Sequence, residues 1–250
     1  MTILQELVEA VRTDEGDAAV SQVLVGLRWT AVHSRNLGLA ATQADAACCR
    51  ARDIEGVGKL EQRSALQLCD LLFSGHPLEV SIGMAALNSL IRVDEQAGVD
   101  WNARDLMLEK GRQKKMAVIG HFPFVDSLRQ VAEKMWVLEL DPAPDEFPAA
   151  MAEEILPQAD IIGLTATTLM NGTFEGLCRL FPPQAWVVMM GPSTPMSPVL
   201  FDYGVDVLAG ALVAQPERLL PYLRQGTTLH KVEGLRRFTL TKENLSTFFR

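Results

Sequence analysis

Cysteine is scarce in this 250-residue chain: Cys48, Cys49, Cys69 and Cys178 are all there is, with no spacing that reads as a disulfide framework. Such usage fits a reducing compartment, and a cytoplasmic location is expected. Neither CxxC nor HxxxH occurs, and adjacent Cys48 and Cys49 would point to opposite faces of an extended segment rather than grip one ion together. The four histidines, His33, His76, His121 and His230, are isolated from one another. No metal held by protein side chains is expected, although a loop could in principle gather Cys48, Cys49 and His33. No apolar run approaches the roughly 20 residues of a membrane helix, so no membrane partner is expected. Met1–Glu9 carries Glu6 and Glu9 and no basic n-region, so it does not read as a secretory signal. Basic tracts are missing too. The net charge of −8 argues against a nucleic-acid partner, and Lys110 to Lys115 reads as a solvated connection.

What is present is an ordinary globular composition, 48% hydrophobic and 22% charged, long enough for one large or two modest domains. The first half gives an amphipathic helix over residues 2–12. It then gives an alternating run through Val23, Val25, Leu27 and Trp29, and a second extended run over Leu37–Ala41, joined as a hairpin or meander. A helical stripe through Leu66, Cys69, Leu72 and Phe73 ends at Gly75, and another helix opens at Pro77 and continues through Ile91. Strands followed by helices make an α+β pattern. From Met116 the pattern changes to βα alternation, with strands at 116–120, 136–140, 160–165, 186–190 and 205–209. Helices are predicted at 124–135, 147–155, 173–180 and 216–225, and a last strand at 236–240. The fold class is therefore α/β: an α+β domain over 1–112, followed by a parallel-sheet domain over 113–250.

Four buried-strand patterns in the second half end in polar, Gly-rich tails: Gly120-His121-Phe122-Pro123, Asp141, Thr165 to Thr173, and Gly191-Pro192-Ser193-Thr194. In open parallel sheets the ligand crevice lies beyond the carboxyl ends of the strands, so the tails point to one small-molecule site; individually they are also turn chemistry. Gly120 would let the backbone approach a ligand. The dinucleotide fingerprint needs two more glycines, and Phe122 fills the space a pyrophosphate would use. His121 at the strand mouth suits acid/base work or is a loop histidine. Asp141 stands where ribose hydroxyls would be met, or simply ends its strand. Thr168, Asn171 and Thr173 offer an amide and two hydroxyls to a heteroaromatic ring, with Thr173 also a plausible helix cap. The proline-stiffened Gly191–Pro198 loop presents its hydroxyls. Without a G-x-S-x-G elbow, Ser193 reads as a binding group rather than a nucleophile. In the first half Glu79, Gly83 and Asn88 share one helix. Gly83 costs about 1 kcal/mol there and so implies a close contact, and Asn88 needs a partner if buried. A domain interface or plain packing explains both.

These segments, with Ile82-Gly83-Met84-Ala85-Ala86-Leu87-Asn88 and Leu200-Phe201-Asp202-Tyr203-Gly204, resemble the bacterial and archaeal family named for "putative heavy-metal chelation" over most of the chain and in the same order. The resemblance implies an enolase-N-terminal-like α+β domain followed by a Rossmann-like domain, with the site between them. It implies condensation or hydrolysis in making flavin-, pterin- or siderophore-like compounds, with a link to heavy-metal chelation. His121 and Glu79 are then the acid/base candidates. Gly83, Asn88, Gly120, Phe122, Pro123, Asp141, Thr168, Asn171, Thr173, Gly191, Pro192, Ser193 and Thr194 are the ligand-binding candidates. The alternatives are a non-catalytic binding protein for a metal–chelator complex and an S-adenosylmethionine-binding methyltransferase relative, the latter lacking the glycine-rich turn. The cofactor is unknown, the partner is a small molecule, and a homodimer is expected because two-fold assemblies are the commonest.

Overall fold

The structure, a computed structural model, describes residues 1–44, 52–94 and 98–243; Cys48 and Cys49 lie outside the described residues. Two compact units emerge. One holds Met1–Asp94 with Pro192–Ser197 and Ala211–Arg236; the other holds Glu95–Gly191, Pro198–Gly210 and Arg237–Arg250.

In the first unit, helix α1 (Ile3–Ala10) opens on a capping box in which Thr2 and Gln5 satisfy each other's backbone N–H groups. Strands β1 (Gln22–Val25), β2 (Trp29–His33) and β3 (Leu37–Ala41) follow as an antiparallel meander. The alternation through Trp29 predicts one strand where the structure has two. The chain turns at Gly26, whose N–H donates to the Trp29 carbonyl at 3.0 Å. A Cβ at Gly26 would stand 2.9 Å from that same oxygen, and Leu27, apolar but 79% exposed, keeps the period without joining a core. Helix α2 (Ala65–Cys69) is capped by Ser64 and runs into a 3-10 turn over Asp70–Phe73, released at Gly75 with φ +73°.

Helix α3 (Pro77–Leu90) starts at proline, whose missing N–H costs nothing in a first turn. It is buried on nearly every side, packed on β2, β3 and α2. Small residues allow this. Gly38 of β3 lies against the backbone of Ala85 and Ser89, and a Cβ on Gly83 would come within 2.6 Å of the Leu72 amide nitrogen. The close contact expected at Gly83 is thus with another backbone. Ile82, Met84, Leu87 and Leu90 are fully buried, and each contributes about 1.5–3 kcal/mol of burial.

The second unit begins with α4 (Ala103–Lys110), capped by Asn102. Then come β4 (Lys115–Ile119), α5 (Val125–Arg129), β5 (Lys134–Glu139), β6 (Phe147–Pro148), α6 (Ala152–Ile155), β7 (Ile161–Thr165), α7 (Thr167–Met170), α8 (Phe174–Cys178), β8 (Trp186–Met190), β9 (Val207–Val213) and β10 (Leu235–Thr241). The sheet order is β10-β9-β8-β7-β4-β5-β6, and every pair from β9 to β6 is parallel. Met116, Val118, Val137, Ile161 and Val188 meet Met107 and Leu128 in its core.

Several predicted boundaries shift for identifiable reasons. The helix predicted at 124–135 stops at Arg129, because Gln113 and Glu133 tie the following residues into a turn through Val131 and Lys114 carbonyls. Ala132 and Met135 still pack on the core, which keeps the helical period going in the sequence after the helix has ended. Phe147–Pro148, predicted as helix, pairs with β5 at the sheet edge, where proline is tolerated. After β9 the chain returns to the first unit as α9 (Pro216–Arg224), burying Leu219 and Leu223 with Ala31, Leu37 and Leu39. The compact units are therefore interleaved pieces of chain, whereas the division read from the sequence is a single cut near residue 112. The mixed α/β class stands. Among the described residues no helix is long and apolar enough to cross a membrane.

Candidate functional site

From β4 the chain moves one way across the sheet, to β5 and β6, and then returns to the other side of β4 for β7, β8 and β9. The order reverses between β4 and β7, and connections leaving these two strands in opposite directions open a crevice at their carboxyl ends. A cavity of about 620 Å³ lies there, within the usual size of a small-molecule site. Its walls come from the tails of three strands: Ile119-Gly120-His121 after β4, Leu138-Glu139-Leu140 at β5, and Thr165, Thr167 and Thr168 after β7. Gly120 is required at that mouth. Its φ of +98° is strained for any side chain, and a Cβ would stand 2.7 Å from Thr165 Cγ2.

The polar groups are ordered by one another. Thr165 Oγ1 and Thr167 Oγ1 share a hydrogen bond of 3.0 Å, and Thr168 Oγ1 donates to the Thr165 carbonyl at 2.8 Å. Asn171 Oδ1 accepts from both the N–H and the hydroxyl of Thr173, at 3.1 and 2.7 Å. That arrangement spends the amide oxygen on the turn and leaves the Asn171 NH2 group without a protein partner among the described residues. Thr173 occupies the cap position of α8, but its hydroxyl serves Asn171 and not the helix. Glu139 and Glu153 add two carboxylates to the wall. The site therefore favours a neutral or cationic ligand that accepts and donates hydrogen bonds.

His121 stands at the rim with its ring largely exposed, and its Nδ1 lies 3.0 Å from Glu146 Oε1. The Glu146 side chain is almost wholly buried, its other oxygen accepting from the Ala143 N–H at 2.9 Å. The Ala143 N–H and then the His121 contact hold its carboxyl below the usual range.

Of the residues expected at a ligand site, the cavity gathers Gly120, His121, Thr168, Asn171 and Thr173. Asp141 is exposed beyond β5, and Phe122 packs on the core while Pro123 is exposed; none of the three lines the cavity. Gly191 has φ +114° and its N–H donates to the Ala209 carbonyl. Pro192, Ser193 and Thr194 belong to the first unit. The hydroxyls of Ser193, Thr194 and Ser197 are buried, not presented. Ser193 Oγ accepts from the Ala41 N–H at 2.8 Å, and its carbonyl accepts from Asn88 Nδ2, which also donates to the Leu39 carbonyl. The Asn88 amide nitrogen thus finds its partners in main chain, whereas its buried Oδ1 has none among the described residues.

Glu79 is buried in the first unit, gripped by both Arg52 guanidinium nitrogens at 2.6 and 2.7 Å and by the Glu55 N–H at 2.7 Å. Burial pushes its pKa up, but Arg52, the Glu55 N–H and the Ser74 side chain more than reverse this and bring it to about 2. Near neutrality it holds no proton to give and is a weak base. Cys69, also buried, has its thiol pushed up to about 12, chiefly by desolvation. Among the described residues no three His, Cys, Asp or Glu side chains come together as a metal site. Glu139, Glu146, Glu153 and Arg52 lie outside every motif that stands out in the sequence.

Fold and cavity together define an α/β protein with a cavity where its parallel sheet reverses order. Two family profiles, both described as "Putative heavy-metal chelation", match residues 8–91 and 102–242, and the chain belongs to that family. It resembles the crystal structure of a protein of unknown function from the DUF364 family of Desulfitobacterium hafniense, with a TM-score of 0.83 at 23% identity over 96% of this chain and 99% of that one. A second such structure, PH1506 from Pyrococcus horikoshii, gives a TM-score of 0.80 at 22% identity over 96% and 98% of the two chains. Both likenesses concern the fold. In sequence, the chain is 24% identical to uncharacterized protein MJ0500 of Methanocaldococcus jannaschii over 66% of its own length and 67% of that protein's.

Proposed function

We propose that the chain binds a small heteroaromatic or chelator-type metabolite in the cavity beyond β4 and β7 and acts on it, with His121 as the acid/base group. The observation that carries this reading is the cavity's position at the reversal of strand order, lined by a histidine, an amide and threonine hydroxyls. Two wall carboxylates disfavour a phosphorylated ligand, and a single glycine in the turn after β4 disfavours dinucleotides and S-adenosylmethionine. Condensation or hydrolysis is the reaction class this reading carries. A second reading is a binding protein for a metal–chelator complex. It is favoured by the lack of a three-ligand metal cluster among the described residues, since the ion would then arrive with its own ligands.

Mass spectrometry of molecules carried through purification, followed by calorimetry with a pterin, a hydroxamate and S-adenosylmethionine, each with and without zinc, tests both. Tight binding of pterin or hydroxamate that is weakened by Asn171→Ala supports the site. Binding only in the presence of zinc, without chemical change, selects the second reading. Binding unaffected by Asn171→Ala, or binding of S-adenosylmethionine alone, removes the first.

A further inference from the structure

The geometry points to a His121–Glu146 dyad in which Glu146, a positioning residue, fixes the His121 tautomer so that Nε2 takes the proton from an acidic O–H of a bound chelating ligand. This inference rests on the cavity reading above and names the chemical step performed there.

The two partners are unequal. Exposed His–carboxylate pairs on a surface fluctuate and order little. Here the carboxylate side chain is only 7% exposed, whereas the ring is 70% exposed and lines the cavity. Both Glu146 oxygens are committed, Oε2 to the Ala143 N–H and Oε1 to His121 Nδ1. The turn that carries it is held further by Arg129, which donates to the Asp145 carboxylate at 3.0 Å and to its carbonyl at 3.2 Å. A carboxylate so fixed is an acceptor only. Nδ1 of the neutral ring must then carry the proton, and Nε2 is left with the lone pair. Among the described residues Nε2 has no protein partner, so its acceptor capacity is available to a ligand.

Ligands that chelate metals through oxygen bind them as oxyanions, after losing a proton. In the step inferred here the ligand O–H bond breaks, its electron pair stays on oxygen, and a new N–H bond forms at Nε2. The resulting imidazolium is held by Glu146 and lies beside the new oxyanion. This local compensation matters, because Glu139 and Glu153 on the cavity wall would otherwise oppose a negative charge. The oxyanion is the metal-binding form, so a histidine base gives the family's chelation chemistry a protein-side role without requiring a protein-held metal.

Two measurements on the full chain test the dyad separately from the cavity. Nitrogen-15 spectra of histidine-labelled protein, recorded where the ring is neutral, are expected to show His121 as the Nδ1–H tautomer. In Glu146→Gln the Ala143 N–H keeps an oxygen acceptor and the amide NH2 faces Nδ1, so the tautomer should invert to Nε2–H. Glu146→Ala, which removes the acceptor outright, should give the same inversion. An Nε2–H tautomer in the unaltered protein overturns the inference. The second probe is 8-hydroxyquinoline, a planar heteroaromatic whose absorbance moves to longer wavelength on loss of the O–H proton. At neutral pH its bound form is expected to carry the shifted band, with loss of that band in His121→Ala and Glu146→Gln while binding persists. Binding with an unshifted spectrum overturns the dyad and leaves the cavity reading intact. Absence of binding to the unaltered protein overturns the cavity reading for this ligand class, and the proton transfer with it.

Discussion

Arg52 and Glu79 meet through two hydrogen bonds, each guanidinium nitrogen facing one carboxylate oxygen, with the carboxylate fully buried and the guanidinium half exposed. Arg52 also offers its carbonyl to the buried His76 ring at 3.0 Å, so one residue ties two side chains of the same region. Glu79→Gln should remove the charge-assisted part of this contact and cost about 1–3 kcal/mol, a fall of several degrees in melting temperature. The pH dependence has a definite sign. The folded pKa, about 2, lies below the ordinary 4.5, so this stabilisation is complete above about 4.5 and is lost as pH falls toward 2. Thermal melts of both forms between neutrality and acid should therefore converge at low pH; a gap that stays constant would refute the assignment.

Asn88→Asp should be worse than Asn88→Ala. The amide nitrogen that serves the Leu39 and Ser193 carbonyls becomes a carboxylate oxygen aimed at two acceptors. Truncation to alanine forfeits the two hydrogen bonds, at about 1–3 kcal/mol, whereas aspartate adds repulsion and desolvation to that loss. Ser193→Ala, which strips the Ala41 N–H of its acceptor, should cost about 1–2 kcal/mol. Urea unfolding of the three variants gives the ranking, and equal stability for Asn88→Asp and Asn88→Ala would contradict it.

Gly83→Ala tests whether α3 is held by backbone contact. Alanine gains about 1 kcal/mol in helix propensity, but its Cβ would stand 2.6 Å from the Leu72 nitrogen and 3.2 Å from the Leu71 carbonyl carbon. Backbone cannot swing aside as a side chain does, so the overpacking, about 1–3 kcal/mol, should win. A raised melting temperature would show that the 3-10 turn over Asp70–Phe73 yields.

Gly176→Phe makes the opposite prediction. Gly176 lines the cavity, sits in α8 with nothing within 4 Å of an added Cβ, and has no special backbone angle. The ring should project into the cavity, leave stability within about 0.5 kcal/mol of the original, and weaken small-molecule binding at least about tenfold, a loss near 1.4 kcal/mol. Calorimetry with the pterin or hydroxamate probe, paired with a melt, checks both halves. Unchanged affinity would mean the ligand sits elsewhere.

The elements easiest to read in the sequence were those whose residues answer to their own neighbours. Trp186–Met190 is a strand because five apolar residues in a parallel sheet are buried on both faces, and Pro77 announces α3 by the chemistry of a first turn. His121 and Asn171 were legible as polar residues at strand tails. Glu146 was not, because its significance lies in a hydrogen bond to a ring 25 positions away. Ser193 misled for a similar reason. Three prolines make its loop look like a displayed surface, yet the hydroxyl closes a contact with a strand 152 positions earlier. The helix expected at 216–225 formed as α9, but nothing within it named its partner.

That partner gives the chain an order of events. On the ribosome β2 and β3 are complete long before α9 exists, yet Leu219 and Leu223 are what covers Ala31, Leu37 and Leu39. At about 5–20 residues per second, the wait lasts on the order of ten seconds or more. Nearly all of the parallel sheet is synthesised during that wait. The part of the protein made early is thus completed late, and through the interval its uncovered strands present the kind of apolar face that chaperones hold.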